Sequence, residues 1–356
     1  MSIWRFADWI DKVPPAARIT LGEGNSPLVQ SRRLGSRLGL ANLYFKLDYV
    51  SPTGSYKDRF AAAAISHMVA QGRRLCVATS SGNTGAALAG YCAVAGIECV
   101  IAIVETAPAE KLAQMLAYGA RLFRVRGFGL DPEVSGQVFG AIQKRGSAED
   151  AAVQISAYHF SPAGMSGVET LGHELADQLP ERIDHVFCPA GGGGLVLALT
   201  RAFARQGRSV AVECVQPAGN DTIATPLRSM ARQARDVSCT TKISGLQVPN
   251  VIDGHAVIEA CRACGGTGHT VSDEEVWNVQ ALLAREEGIF TEPAGAVSVA
   301  GALKAAACGE LQPDAVVVCV VTGMGFKDRP AVDRMVQHLD APLVDPVTFV
   351  KQLHKE

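Results

Sequence analysis

Three small-residue segments carry most of the chemistry that this sequence can offer. In the first, Pro52-Thr53-Gly54-Ser55-Tyr56-Lys57-Asp58-Arg59, a lysine follows a glycine turn at the head of an Ala-rich helical stretch over 58–71. The positive end of a helix dipole disfavours a cation. Lys57 should therefore lose its charge readily, and a neutral amine suits Schiff-base formation. A solvated surface lysine is the plain alternative. The second segment is Ser80-Ser81-Gly82-Asn83-Thr84-Gly85. Hydroxyls and a side-chain amide at a helix start can grip a carboxylate or a phenolic oxygen, although ordinary N-capping explains the same residues. The third is Gly191-Gly192-Gly193-Gly194, between a strand ending at Cys188 and a following helix. Four glycines let backbone N–H groups wrap a small anion such as a phosphate; a flexible turn is the alternative. No Lys-Ser/Thr pair follows, so this is not a Walker loop, and the spaced G-x-G-x-x-G form is absent.

The elements that must position these loops read as an α/β chain. Strands are expected over Arg74–Thr79, Glu98–Val104, Arg121–Arg126, His185–Cys188, Ser209–Val215 and Ala315–Val321. Helices are expected over Gly85–Ala95, Ala109–Tyr118, Leu195–Arg205 and Glu274–Glu286, the last opened by a Ser272/Glu275 capping box. Strands that are apolar on both faces and alternate with helices indicate parallel sheets covered on both sides, and two such sheets are expected in this chain. In such sheets ligands gather at the carboxyl ends of the strands, where all three loops fall. Residues 43–56 and 145–160 are the expected crossings between domains.

Composition narrows the function classes. Among 356 residues, 33 Lys+Arg against 35 Asp+Glu give a net charge of -2, so no basic footprint for nucleic acid is present. With 48% hydrophobic residues the chain can build a large core. Its ten cysteines are scattered through apolar stretches, which reads as reduced, buried thiols in a cytoplasmic protein. The N-terminus lacks a signal-peptide layout. The longest apolar run, Ala86–Val104, is interrupted by Gly90, Gly96 and Glu98, so no membrane contact is expected. Cys261-Arg262-Ala263-Cys264-Gly265-Gly266-Thr267-Gly268, with His269 nearby, mimics one zinc-binding repeat. Tetrahedral zinc wants four ligands, so this stretch is read as a helix ending at a glycine pair before a strand, with no metal.

Taken together, the segments resemble the fold-type II pyridoxal-phosphate enzymes, the tryptophan synthase β-like superfamily. The three loops, with Leu21-Gly22-Glu23-Gly24-Asn25-Ser26-Pro27-Leu28, Asn42-Leu43-Tyr44-Phe45-Lys46, Glu286–Ala294 and Val321-Thr322-Gly323-Met324-Gly325-Phe326-Lys327-Asp328, look most like threonine synthase over residues 18–330. The resemblance implies two domains, each a mostly parallel twisted sheet covered by helices, with the cofactor pyridoxal 5'-phosphate in the cleft between them. The smaller domain would be 50–155 and the larger 1–49 plus 156–356. It implies Lys57 as the Schiff-base lysine and catalytic residue, and Asn83 on the cofactor's phenolic oxygen. Gly191, Gly192, Gly193 and Gly194 would hold its phosphate, and Thr322 would meet its pyridine nitrogen. Glu292 is placed among the cofactor contacts. Ser80, Ser81 and Thr84 would hold the substrate carboxylate, with Tyr158 and His159 lining the substrate mouth. A hydroxyl at the ring nitrogen makes a weaker electron sink than a carboxylate would, which fits elimination or replacement better than transamination.

Two departures bear on the substrate. Threonine synthases of this kind carry Asn-Pro-x-Arg before a Glu-Gly pair, and the Arg grips the substrate phosphate. Here the stretch is Ser161-Pro162-Ala163-Gly164-Met165-Ser166-Gly167, with Gly164 in the Arg position. The glycine tetrad looks instead like that of serine/threonine dehydratases. The expected activity is threonine synthase-like conversion of O-phosphohomoserine and water to threonine and phosphate, in a homodimer. Dehydration of serine or threonine and β-replacement on an O-activated serine are the alternatives. A catalytically silent cofactor binder is disfavoured because Lys57, Asn83, the tetrad and Thr322 all stand together.

Overall fold

The computed structural model describes residues 2–354. Ten strands build two sheets: β1 (Leu28–Gln30), β2 (Asn42–Leu47), β3 (Leu75–Thr79), β4 (Glu98–Val104), β5 (Arg121–Val125), β6 (Ala151–Val153), β7 (His185–Pro189), β8 (Ala211–Pro217), β9 (Gly268–Val271) and β10 (Val316–Val321). One sheet has the order β5-β4-β3-β6, and all its pairings are parallel. The other runs β1-β2-β10-β7-β8-β9 and is parallel except for β1 on β2. The sequence pattern explains the centre of the larger sheet. β10 is Val-Val-Val-Cys-Val-Val, and its last five residues are buried between β2 and β7. Such a strand needs cover on both faces, which the helices supply.

The expected strands and helices appear, with shifted ends. The strand expected at Ser209 begins at Ala211. The Ser272/Glu275 capping box is formed, but its helix stops at Leu282 and widens into a π-turn over Leu283–Glu287. That turn delivers the Glu287 carboxylate to the backbone N–H groups of Arg32, Arg33 and Leu34 and to the Ser31 hydroxyl. All ten cysteines are free, seven of them buried.

Two helices back the first loop. The Lys57–Ala70 helix crosses the Pro162–Gln178 helix where small residues face each other. A Cβ on Gly164 would lie 2.6 Å from Phe60 Cε2 and 2.9 Å from Ala64 Cβ, and one on Gly167 would lie 2.3 Å from the Arg59 carbonyl oxygen. Only glycine allows this approach. A buried ionic cluster pins the same crossing. Arg59 donates to Asp48 (2.7 Å) and Glu174 (2.8 Å), and Lys46 donates to Glu174 (2.9 Å). Burial alone would raise the Glu174 carboxyl, but the charge of Arg59 and donation from Arg59 and Lys46 hold it down at about 2.

Candidate active site

Three loops lie side by side at the carboxyl end of β10 and bring distant residues together. Tyr56 N donates to the Thr322 carbonyl (3.0 Å), Met324 N to Gly54 O (2.9 Å), and Glu292 N to Gly323 O (3.0 Å). This short backbone ladder sets Lys57, Thr322 and Glu292 around one space. Lys57 is the first residue of its helix, as its place after the glycine turn required. Its Nζ donates to Ser156 Oγ (2.9 Å) and lies 4.5 Å above the Tyr56 ring. Burial lowers the Lys57 amine to about 8, against the opposing charges of Glu292 and Asp253. Desolvation therefore achieves what the sequence reading assigned to the helix dipole.

Asn83 opens the helix after β3, and its Nδ2 donates to Glu292 Oε1 (2.6 Å). Burial raises the Glu292 carboxyl to about 7, with Lys327 opposing. Ser81, Gly82 and Asn83 line a cleft of about 230 Å³ together with Lys111, Gln114 and Lys327. Ser80 turns back to accept from Gly82 N (3.2 Å), and neither it nor Thr84 lines that cleft.

The glycine tetrad follows β7 and starts the Gly194–Arg205 helix, which has no side-chain cap. Gly193 sits at φ +97, a conformation that favours glycine, and a Cβ there would lie 2.7 Å from Val257 Cγ2. A turn of uncapped amides at a helix N-terminus, walled by Val248, Ile252 and Val257, has the geometry to receive a small anion. Asp253 ties this cradle to the next loop. Its N–H donates to Gly192 O (3.1 Å), and its carboxylate accepts from Tyr158 N (2.8 Å) and His159 N (3.0 Å).

Beside Asp253 stand the two residues expected at the substrate mouth. The Tyr158 hydroxyl donates to Glu169 (2.7 Å) and its ring lies under Arg201, while His159 is exposed and packs edge-on against Phe160. Neither is among the residues lining the cleft beside Ser81 and Asn83, which Lys57 and Thr322 do not line either. Gly164 likewise faces Phe60 and not the cleft. Ser161 and Ser166 spend their hydroxyls on nearby backbone. The Cys261/Cys264 stretch is a helix end before β9, as expected. Cys264 accepts from Val212 N, and His269 meets Glu213. Among the described residues, three thiols elsewhere, those of Cys76, Cys92 and Cys99, converge to within 4.8 Å of one another.

Sequence reasoning missed Ser156, Asp253, Gln114, Ser244 and Lys327. Lys327 alone had a signal, since it lies in the quoted run after Thr322.

A nucleophilic amine with a lowered pKa, a glycine cradle for a phosphate, and an amide and a hydroxyl between them form one constellation. These residues fit a phosphorylated aldehyde cofactor. The chain matches the profile described as "Pyridoxal-phosphate dependent enzyme" over residues 19–323. It belongs to that family. Its cofactor is therefore pyridoxal 5'-phosphate. Threonine synthase of Methanosarcina acetivorans is 32% identical, covering 93% of this chain and 81% of the relative. Threonine synthase of Methanocaldococcus jannaschii is 30% identical, covering 94% and 82%. Threonine deaminase isoform 2 of Solanum lycopersicum superposes with a TM-score of 0.76 at 19% identity, covering 95% and 94%, which shows the fold-type II architecture. Among the described residues of this pyridoxal-phosphate enzyme, no helix is long and apolar enough to cross a membrane.

Proposed function

We propose that this enzyme removes an anionic leaving group from the side chain of an amino acid, with O-phosphohomoserine and water going to threonine and phosphate. The observation that carries this reading is the pair of lysines in the cleft. Lys111 Nζ donates to Ser244 Oγ (2.7 Å) and lies 3.3 Å from Asp328, and Lys327 Nζ donates to Gln114 Oε1 (2.7 Å). Both line the same wall as Ser81 and Asn83. Two ammonium groups replace the lost Arg as point charges, without its planar fork. The absence of Arg at Gly164 therefore does not weigh against a phosphorylated substrate.

Bound in the cradle, pyridoxal phosphate supplies an electron sink for the bond broken at Cα. Gly191–Gly194 would hold its phosphate, and Asn83 and Thr322 would be its partners at the ring. Ser81 with Asn83 orients the substrate carboxylate. The Lys57 amine, neutral above about pH 8, takes the Cα proton and later returns a proton along the side chain. Ser156 holds that amine in place between the two steps. Asp253 fixes the cradle relative to the loop that carries Ser156. The assembly is proposed to be a homodimer, which light scattering of the purified chain tests. The exposed apolar residues Val347, Phe349, Val350 and Leu353 on the last helix are consistent with a covered surface.

The experiment is a screen of the holoenzyme against O-phosphohomoserine, O-phosphoserine, serine and threonine, reading phosphate and 2-oxo acid. Phosphate release from O-phosphohomoserine with threonine as product is expected. Release of 2-oxo acid from serine or threonine, with O-phosphohomoserine untouched, would replace this reading by dehydration.

A further inference from the structure

A cleft of about 440 Å³ lies behind the Lys57–Ala70 helix. It is separate from the space around Asn83 and Lys111, as the two share no lining residue. Its floor is the start of the Pro162–Gln178 helix, with Pro162, Ala163 and Gly164 on the wall. This 17-residue helix has no side-chain cap, since the Ser161 hydroxyl is turned to the backbone at Ile155 and Val153. Among the described residues, the N–H groups of Ala163 and Gly164 meet no acceptor. Uncapped amides at a helix start attract an anion.

Three independent observations point to a ligand. Gln154 lines the cleft and is only 9% exposed, yet its Oε1 has no partner, and neither does His67 Nε2 on the same wall. Buried polar atoms left unpaired cost stability, so two orphans beside one cleft call for a donor. Arg73 also lines the cleft, and only its Nη1 is engaged, by the Ala151 carbonyl. No Asp or Glu lines the cleft at all. Finally, Ala64, Met68, Val153 and Phe160 give part of the wall an apolar surface.

We propose that this cleft is a second ligand site that takes a small free α-amino acid. The carboxylate would lie at Arg73 and the Ala163 and Gly164 amides. The ammonium would donate to Gln154 Oε1 and His67 Nε2 once a rotation of these two lining side chains bares the buried atoms. A short apolar side chain would rest on Met68 and Phe160. An inorganic anion satisfies the donors but leaves both acceptors empty, so the whole arrangement selects a zwitterion. The site is wired to the chemistry. Gln154 N donates to Val77 O, and two residues on, Ser156 Oγ receives the Lys57 amine at 2.9 Å. Ala64 and Met68 belong to the same helix as Lys57. Occupancy therefore acts on the position of the Lys57–Ser156 pair, whichever amino acid is the substrate, so this inference goes beyond the proposed reaction and does not depend on it.

The test is calorimetric titration of the holoenzyme with L-threonine, L-valine, acetate and inorganic phosphate, with the visible spectrum recorded in parallel. An amine entering the active site perturbs the cofactor's absorbance, and one entering this cleft does not. At least one of the two amino acids should bind once per chain without a spectral change. It should bind at least tenfold more tightly than acetate or phosphate. Arg73→Met and Gln154→Leu should each weaken that event about tenfold, with turnover retained in the absence of added effector and an unchanged cofactor spectrum. Absence of spectrally silent binding by either amino acid overturns the proposal. So does silent binding that survives both variants, or phosphate binding as tightly as the amino acid. Unaltered melting curves of the two variants separate lost binding from lost folding, and Gln154→Asn, which keeps an acceptor, should recover part of the affinity.

Discussion

Replacing Gly164 by alanine tests the reason an arginine is missing at that position. The added methyl carbon would lie 2.6 Å from an edge carbon of Phe60 and 2.9 Å from the Ala64 methyl. Carbon atoms pack best at about 3.5–4.0 Å, so roughly 1 Å must be found by moving two helices apart. Both are pinned by the buried Arg59–Asp48–Glu174 cluster and relax poorly. Overpacking of this kind costs about 1–3 kcal/mol. Gly136 supplies the opposite case. It lies exposed within the Pro132–Gly146 helix, and a Cβ there would meet nothing within 4 Å. Gly136→Ala should stabilise by about 0.5–1 kcal/mol, through helix propensity and a less free unfolded chain. The same chemical change should thus move the guanidinium unfolding midpoint in opposite directions at the two sites, with the slope unchanged. Gly164→Ala should also bind cofactor less tightly, read from visible absorbance, because Lys57 rides on the displaced helix. Gly164→Arg should fold worse still and gain no preference for a phosphorylated substrate. A Gly164→Ala protein within about 0.5 kcal/mol of the parent would refute the reasoning, since it would show that the crossing can open.

Other consequences follow from the same geometry. The Lys57 amine stands at about 8 when folded and at 10.5 as a free side chain. Cofactor attachment to the apoprotein should therefore speed up as pH rises to about 8 and level off above it, followed by stopped-flow absorbance. The sign for stability is the reverse of a salt-bridged lysine. Between about 8 and 10.5 the unfolded state binds more protons, so apoprotein stability from this group should rise across that window, seen in unfolding at stepped pH. Arg59→Met leaves the buried Asp48 without its counter-charge and Glu174 with Lys46 alone, and should cost about 3–5 kcal/mol in chemical unfolding. Lys327→Met should raise KM for O-phosphohomoserine about ten- to a hundredfold, the worth of a charge-assisted bond, while an unphosphorylated analogue is little affected; equal losses on both would remove Lys327 from the leaving-group end. Thr322→Asp should hold the ring nitrogen protonated and slow elimination, with absorbance to the red of the resting cofactor, whereas an unchanged spectrum would mean that Thr322 does not meet that nitrogen.

The parts whose physics is local are legible in the residues alone. Valine-rich runs such as Val316–Val321 can only be buried strands, and the order of strands and helices then follows. Four consecutive glycines after a strand, and a lysine after a glycine turn, are signals that need no distant partner. The tertiary structure decided what depends on contact between segments far apart in the chain. Lys57 meets Ser156 across 99 residues, Asn83 meets Glu292 across 209, and Lys327 meets Gln114 across 213. Ser156 and Gln114 carry no local mark of their role. A serine or a glutamine has the same propensities wherever it stands, and its function is created by what the fold sets against it. Tyr158 and His159 show the converse. Their place beside the altered motif pointed to the substrate, and the fold adds what the motif does not show: Asp253, nearly a hundred residues on, holds their backbone, and the Tyr158 hydroxyl donates to Glu169. Gly164 read as a lost phosphate clamp in one dimension. In three it is the contact that lets the catalytic helix lie against its neighbour, because steric exclusion between two helices is a property of the pair and is written in neither alone.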